Sequence, residues 1–267
     1  MLKQRIITGL IVALLALLVL YYLPVEFFSI CVALIIMVGA WEWANLASIE
    51  NNSLRVAYAA ATGCLCWLLS MYSISSLVII SVGILWWISA FFLIRSYPVS
   101  GRWFSSKTVR LLMGFITLIP AWSAIVLLQS RGDVLAIILL LFLVWAADVG
   151  AYFTGKCLGS HKLAEHVSPS KTIEGVLGGV VFSVAVAVAV GLFCDFSFAK
   201  GLGLLLLTVM VALVSVVGDL LESLLKRERG VKDSSFLLPG HGGVLDRIDS
   251  LTAALPVYAL ALFVFGS

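Results

Sequence analysis

The chain has 267 residues, of which 62% are hydrophobic and only 12% are charged, and its 17 basic and 14 acidic residues leave a formal net charge of +3. A soluble globular domain usually carries about 25% charged residues. The composition therefore excludes an ordinary soluble protein and indicates an integral membrane protein.

Apolar runs follow one another along the whole chain, and each is about 17–25 residues long, enough to cross the hydrocarbon core as a helix. The first run follows a basic start, as a signal peptide would, but it lacks a small-residue cleavage site and is predicted to be a retained anchor. We therefore predict an all-α polytopic helix bundle with nine transmembrane helices, forming a single domain over 1–267. The predicted spans lie near 6–23, 27–47, 56–73, 76–94, 110–129, 134–154, 175–194, 202–221 and 250–266.

The basic residues are distributed unevenly between the two sides of this bundle. With the N-terminus inside, the inside segments hold 15 of the 17 lysines and arginines, and only Arg131 and Lys200 fall outside. Cytoplasmic loops are enriched in Lys and Arg, so the N-terminus is predicted to be cytoplasmic. A basic cytoplasmic side favours an anionic partner there, and no nucleic-acid partner is expected.

The two halves of the chain differ in where their carboxylates lie. Residues 1–133 carry few carboxylates within the spans, apart from Glu42, and are predicted to form a scaffold that contacts lipid and offers a dimer contact. The polar loop 95–110 is predicted to be a solvated connection. Residues 134–267 are predicted to carry the catalytic site, because their spans contain acids and border long inside segments. These segments cover about 155–174 and 222–249.

Two acids lie unusually deep in the second half. Asp148 is within the sixth predicted span, and Asp219 is at the inside end of the eighth. An ionisable group at such a depth is a functional candidate by default, and a helix-packing ion pair is the structural alternative. Asp219, Glu222, Ser223 and Lys226 are spaced i, i+3, i+4 and i+7, so they are predicted to share one helix face.

The first inside segment carries groups that can bind phosphate. Ser168, Ser170, Lys171 and Thr172 can donate to phosphate oxygens, and Glu174 is predicted near the start of the seventh span. The preceding stretch 150–157 resembles a P-loop, but a cysteine stands where that loop needs a hydroxyl and the stretch continues a membrane helix. A nucleoside triphosphatase loop is therefore rejected.

The second inside segment combines a glycine-rich turn with two acids. Glycines around His241 permit close backbone approach and positive φ angles, so successive N–H groups can bind an anion; a purely structural turn is the alternative. Asp246 and Asp249 are three residues apart at a predicted helix start, where capping alone explains one of them. With Asp219 they form an oxygen donor set of the kind that Mg²⁺ prefers.

These segments together resemble the signature of the phosphatidate cytidylyltransferases, also called CDP-diacylglycerol synthases. The pattern S-x2-K-R-x4-K-D-x-S-x2-L-P-x-H-G-G-x2-D-R-x-D runs over 223–249, supported by D-x2-A-Y at 148–152 and S-P-x-K-T-x-E-G at 168–175. The resemblance implies transfer of the cytidylyl group of CTP to phosphatidic acid, giving CDP-diacylglycerol and pyrophosphate, for phospholipid biosynthesis. It also implies Mg²⁺, with or without a second cation.

The resemblance and the charge pattern together assign roles to residues of this chain. The expected metal ligands are Asp219, Asp246 and Asp249. The expected catalytic residues are Lys226, Arg227, Lys232, Asp233 and His241. The expected substrate-binding residues are Ser168, Lys171, Thr172, Ser223, Gly242, Gly243 and Arg247. The residues expected in the polar site without an assigned role are Asp148, Glu174 and Glu222.

The resemblance implies CTP, phosphatidic acid and the lipid bilayer as partners, and a homodimer as the oligomeric state. The compact length and the absence of organelle-targeting features predict a bacterial inner membrane, with the active site facing the cytoplasm. A transporter is one alternative, although transporter sites usually lie near the midplane and these carboxylates lie at one face. An isoprenoid phosphate as the lipid acceptor is another. A CDP-alcohol phosphotransferase is excluded because its D-G-x2-A-R pattern is missing.

Overall fold

The computed structural model describes residues 11, 14–72, 74–240 and 242–265. In this part of the chain, eight helices are long and apolar enough to cross a membrane. The all-α polytopic membrane bundle is therefore confirmed. The predicted first span, near 6–23, lies partly outside the described residues, and 14–22 is helical. The helices are α1 (Val25–Leu46), α2 (Asn52–Met71), α3 (Ser76–Arg95), α4 (Lys107–Ser130), α5 (Val134–Leu158), α6 (Ile173–Phe193), α7 (Phe198–Arg229) and α8 (Leu245–Phe265).

The helix that carries Asp219 is longer than its apolar run predicts. It continues two turns past the predicted end at 221, to Arg229. It ends at Gly230, whose φ of 75° is left-handed and whose N–H donates to the carbonyls of Lys226 and Arg227. This is the usual glycine termination of a helix. The extension carries the three basic residues of the last turn of α7, Lys226, Arg227 and Arg229.

A small β-hairpin, absent from the sequence prediction, connects α5 to α6. Strand β1 (Lys162–Ala164) pairs antiparallel with β2 (Ser168–Thr172). The side chain of Thr172 accepts a hydrogen bond from the N–H of Gly175 at 3.1 Å and so caps the first turn of α6. The hairpin therefore delivers β2 directly to the start of α6.

Helices α5 and α6 approach each other closely because glycines line their contact. A Cβ atom at Gly178 would lie 2.1 Å from Thr154 Oγ1, and one at Gly179 would lie 2.7 Å from the carbonyl oxygen of Ala147. Small residues allow such backbone approach between membrane helices. The contact places Asp148, on α5, beside the start of α6.

The apolar core forms two clusters along the length of the bundle. Trp43, Leu118 and Leu224 belong to the first, and Leu140 and Tyr258 belong to the second. Helix α4 contributes to both clusters, and 56% of its apolar window is buried, the largest share among the eight spans of the described chain. The first cluster lies under the polar ends of α7 and α8 and supports them.

Most of the segment 95–110 is exposed, in keeping with the predicted connection, but Arg110, in the first turn of α4, is buried. The side chain of Arg110 is only 8% exposed, and its Nη2 lies 2.9 Å from Glu228 Oε2. The hydroxyl of Tyr97 donates to Glu228 Oε1 at 2.9 Å, and burial together with this bond raises the pKa of Tyr97. The prediction is wrong at Arg110 because the extended end of α7 packs against this loop.

Candidate active site

A cavity of about 590 Å³ lies where α5, α6, α7 and α8 meet strand β2. Its walls include small apolar residues such as Ala151, Val176 and Val216. Its polar lining consists of acids, cations and hydroxyl groups: Asp148, Asp219, Asp246, Asp249, Lys156, Lys171, Arg247, Ser170, Thr172 and Ser250. A single space therefore joins a highly charged surface to apolar helix walls.

The acidic and basic residues of α7 share one face, as their spacing predicts. Ser223 Oγ donates to Asp219 Oδ1 at 3.2 Å, and Lys226 Nζ lies 3.4 Å from Glu222 Oε1. Asp219 also forms an ion pair with Lys171, which reaches it from β2. Two segments that are 48 residues apart in sequence thus meet through one carboxylate.

Asp246, in the first turn of α8, is held by several donors. Lys226 Nζ lies 2.9 Å from Oδ1. The N–H and hydroxyl of Ser234 donate to Oδ2 at 3.0 and 2.9 Å, and the N–H of Gly243 donates to it at 2.8 Å. The side chain of Asp246 is only 6% exposed. Its position is therefore set by α7 and by both ends of the preceding loop.

Two further acids lie next to this centre. Glu222 is 2% exposed, and within the described part of the chain neither of its carboxylate oxygens accepts a hydrogen bond. Asp249 lines the cavity, and its Oδ1 accepts from the N–H of Ser250 at 2.7 Å. Burying a carboxylate without a hydrogen-bond donor costs free energy. The positive charge of nearby Lys226 offsets this cost for Glu222.

Several predicted site residues do not line the cavity. Arg227 Nε donates to the carbonyl of Val167 in the hairpin at 3.2 Å. Glu174 accepts from Ser160 and His161 and so fixes the loop that precedes β1. The other predicted residues outside the lining are Ser168, Glu222, Ser223, Lys226, Lys232, Asp233, Gly242 and Gly243. His241 lies outside the described residues.

Some of these residues nevertheless contact the acids that line the cavity. Lys226 and Gly243 contact Asp246 directly, and Ser223 contacts Asp219. Gly242 has a φ of 84°, and a Cβ atom there would lie 2.9 Å from Asp246 Oδ2. The glycine-rich turn therefore packs directly against the carboxylate of Asp246.

Other residues of this region were not predicted. Lys156 lines the cavity, and Ser234 bonds to Asp246. Glu42, on α1, is completely buried and accepts hydrogen bonds from residues about 200 positions later. Its only signal in the sequence was its isolation as a carboxylate within the apolar spans of the first half.

The described residues contain no group of three or more His, Cys, Asp or Glu side chains drawn together as metal ligands. Asp219 and Asp246 are instead paired with Lys171 and Lys226. The donor set around the cavity nevertheless consists of carboxylate oxygens, which suits Mg²⁺. Glu222 and Asp246 share the cation Lys226, whose Nζ lies 3.4 and 2.9 Å from their carboxylate oxygens.

Comparison with known proteins gives matches over the whole chain. A family model described as the Cytidylyltransferase family matches residues 3–265. A phosphatidate cytidylyltransferase of Pseudomonas aeruginosa is 46% identical over 272 residues, which cover 100% of this chain and 98% of that protein. One of Haemophilus influenzae is 36% identical over 288 residues, covering 98% of this chain and 99% of that protein. One of Staphylococcus aureus (strain COL) is 47% identical over 135 residues, covering 50% of this chain and 52% of that protein.

Proposed function

The chain belongs to the cytidylyltransferase family, and on that premise we propose that its polar cavity catalyses transfer of the cytidylyl group of CTP to phosphatidic acid. The products are CDP-diacylglycerol and pyrophosphate. The observation that carries this location is the meeting of four carboxylates and three cations from three helices and one strand around one cavity. That charge pattern suits polyphosphate chemistry, in which positioning and charge stabilisation supply most of the catalysis.

The reaction requires little general-base assistance. An oxygen of the phosphate group of phosphatidic acid attacks the α-phosphorus of CTP, a new P–O bond forms, and the bond to the β-phosphate breaks to release pyrophosphate. A phosphomonoester has a second pKa of about 6, so the attacking oxygen is already ionised at neutral pH. The protein must chiefly hold two anions in line and stabilise the departing one.

The cations around the cavity are suited to this task. Lys171 and Arg247 line the cavity, and Lys226 lies behind it against Asp246. An anionic substrate that enters competes with the carboxylates for these cations. Lys171 is placed on a strand rather than on a membrane helix, so its side chain can turn from Asp219 to a phosphate group without moving the bundle.

Asp219, Asp246 and Asp249 are the residues that would hold Mg²⁺, and Glu222 adds negative charge behind them. When bound, the metal ion would neutralise phosphate oxygens and stabilise the leaving pyrophosphate. Helix α8 presents Asp246 and Asp249 from its first turns, while Asp219 comes from α7. The protein therefore contributes donors from two helices that the loop 230–244 connects.

The cavity also suits two substrates of different solubility, the water-soluble CTP and a membrane lipid. Its apolar walls, including Ala147, Val180 and Ala212, belong to the membrane-spanning helices, whereas its charged surface lies toward β2 and the first turn of α8. We assign the charged end to CTP and the apolar walls to the lipid. The distribution of basic residues supports a site that faces the cytoplasm, and the bacterial relatives support a bacterial inner membrane. The homodimer and the scaffold role of 1–133 remain predictions.

Pyrophosphate release by the purified protein in detergent micelles tests the proposed function. We expect release only when CTP, Mg²⁺ and dioleoyl phosphatidic acid are all present, and CDP-diacylglycerol should appear in equal amount. Release that requires an isoprenoid phosphate in place of phosphatidic acid would change the assigned acceptor. Absence of release from folded, monodisperse protein with either lipid would contradict the proposal and favour the transporter alternative.

Replacement of Lys171 by methionine is expected to reduce kcat/KM for CTP by about 100-fold, the loss typical of removing one charge-stabilising contact. Methionine keeps the length of the side chain but removes the cation that pairs with Asp219. Steady-state kinetics with varied CTP measures the effect. Lys162→Met is the matched control, because Lys162 is exposed on the other strand of the same hairpin. Equal losses in both variants would contradict a direct role for Lys171.

A further inference from the structure

Glu42 is a buried acid in the half of the chain that lacks the cavity. It lies on α1, it is 0% exposed, and its hydrogen-bond partners lie 192 to 203 residues further along the chain. A buried carboxylate is retained only where donors compensate its charge. The identity of these donors shows which part of the molecule Glu42 holds.

Both oxygens of Glu42 accept hydrogen bonds from the loop that connects α7 to α8. Oε1 accepts from the hydroxyl of Ser235 and, at 2.9 Å, from the N–H of Val244. Oε2 accepts from the N–H of Leu245 at 2.6 Å, and it lies 3.3 Å from the hydroxyl of Ser234, whose one proton is directed to Asp246 at 2.9 Å. One carboxylate therefore clamps both ends of this loop together.

The clamp reaches Asp246 through Ser234. The hydroxyl of Ser234 lies between the two acids, 3.3 Å from Glu42 Oε2 and 2.9 Å from Asp246 Oδ2. Asn45, one turn along α1 from Glu42, donates to the carbonyl of Ser234 at 3.1 Å. Helix α1 thus fixes the residue whose N–H and hydroxyl both bind Asp246.

The clamp also determines where α8 begins. The first N–H groups of a helix have no partner within the helix and are satisfied by an acceptor from elsewhere. Here the acceptor is Glu42, which binds the N–H groups of Val244 and Leu245. A negative charge at this end is also favoured by the helix dipole. The first turns of the same helix carry Asp246 and Asp249.

We propose that Glu42 is a positioning residue of the active site: it clamps the 234–245 segment to α1 and so holds Asp246 and Asp249 in the arrangement that catalysis requires. This inference rests on the proposed function for its kinetic consequence only. Glu42 does not line the cavity within the described residues, so it acts through the loop and not on the substrate.

The geometry explains why an acid, and not an amide, occupies this position. Each oxygen of Glu42 faces one backbone N–H, Oε1 that of Val244 and Oε2 that of Leu245. A glutamine has one oxygen and one NH₂ group. In either orientation its NH₂ would face a backbone N–H that can only donate. Glu42→Gln therefore loses one end of the clamp while keeping nearly the same volume.

We expect Glu42→Gln to accelerate hydrogen–deuterium exchange in peptides covering 232–246, measured by mass spectrometry in detergent. In the same variant, kcat should fall by about 10- to 100-fold, as it does when residues that orient metal ligands are replaced. The MgCl₂ concentration that gives half-maximal thermal stabilisation should rise. Glu50→Gln, at an acid that is 82% exposed and 3.9 Å from Arg229, should match the wild type in all three measurements.

Two results would overturn the proposal. One is unchanged exchange in 232–246 in Glu42→Gln. The other is a lower unfolding temperature with wild-type kcat and wild-type Mg²⁺ response, which a purely structural residue would give. If Glu42→Gln does not fold, Ser235→Ala removes one donor of the clamp without touching Asp246 and should show the same changes at smaller size. A wild type without CTP-dependent release would instead refute the proposed function, and the exchange data alone would then decide the clamp.

Discussion

Asp246→Asn is expected to reduce pyrophosphate release by about 1,000-fold or more, because the substitution removes a charge at the centre of the site. Asp246 pairs with Lys226 and accepts from Ser234 and Gly243. Asparagine keeps one acceptor oxygen but cannot neutralise Lys226 or bind a cation strongly. Steady-state kinetics, with Mg²⁺ varied at saturating CTP, measures the loss and shows whether more metal restores activity.

The same variant should remain folded. Removing one partner of a buried ion pair costs about 3–5 kcal/mol when nothing replaces it, but here Glu222 stays 3.4 Å from Lys226 and offsets its charge. Asp195→Asn is the matched control, because Asp195 is exposed in the turn between α6 and α7 and has a φ of 50°, which asparagine tolerates. Near-normal activity of Asp246→Asn would show that this acid is structural.

Gly243→Ala is expected to abolish most of the activity and to lower stability by about 1–3 kcal/mol, the usual cost of forcing a methyl group into a packed site. A Cβ atom at this position would lie 2.0 Å from Ser234 Oγ and 2.6 Å from Glu42 Oε1. Ser234 must then move away from Asp246, and a displacement of about 1 Å near reacting groups costs roughly 100-fold in rate. Initial rates and the unfolding temperature, measured on one preparation, test both parts.

Gly203→Ala is the control for Gly243→Ala. Gly203 lies on α7, and a Cβ atom there would meet nothing within 4 Å. This variant should keep wild-type activity and gain slight stability, because alanine favours helix. A Gly243→Ala protein with normal rates would show that the loop relaxes without disturbing Asp246, which would contradict the tight packing on which the expectation depends.

The sequence predicted the parts of the site that depend on local spacing. The face formed by Asp219, Glu222, Ser223 and Lys226 follows from helical periodicity alone and is confirmed. The start of α8 before Ser250 was also anticipated, because acids are favoured in a first helical turn. Such features involve residues within one or two turns of each other, so no knowledge of the rest of the chain is needed.

Features that depend on distant contacts were missed or wrongly predicted. Arg110 was placed in a solvated loop, yet it is buried against Glu228, 118 residues away. The hairpin that carries Lys171 has too few residues for a clear strand pattern. Glu42 was noticed as an isolated acid but received no role, because its partners lie in a different half of the chain.

The sequence by itself determined the membrane bundle, the family and the identity of the acids and cations that the site needs. Apolar length, helical period and a long polar signature are local properties, and each can be counted along the chain. Only the tertiary structure decided which of those groups line the cavity and which contact the lining residues from outside it. It also decided that Glu42 on α1 binds the loop before α8. The physical reason is that a buried charge is satisfied by whichever donors the fold brings to it, and those donors lie far away in sequence.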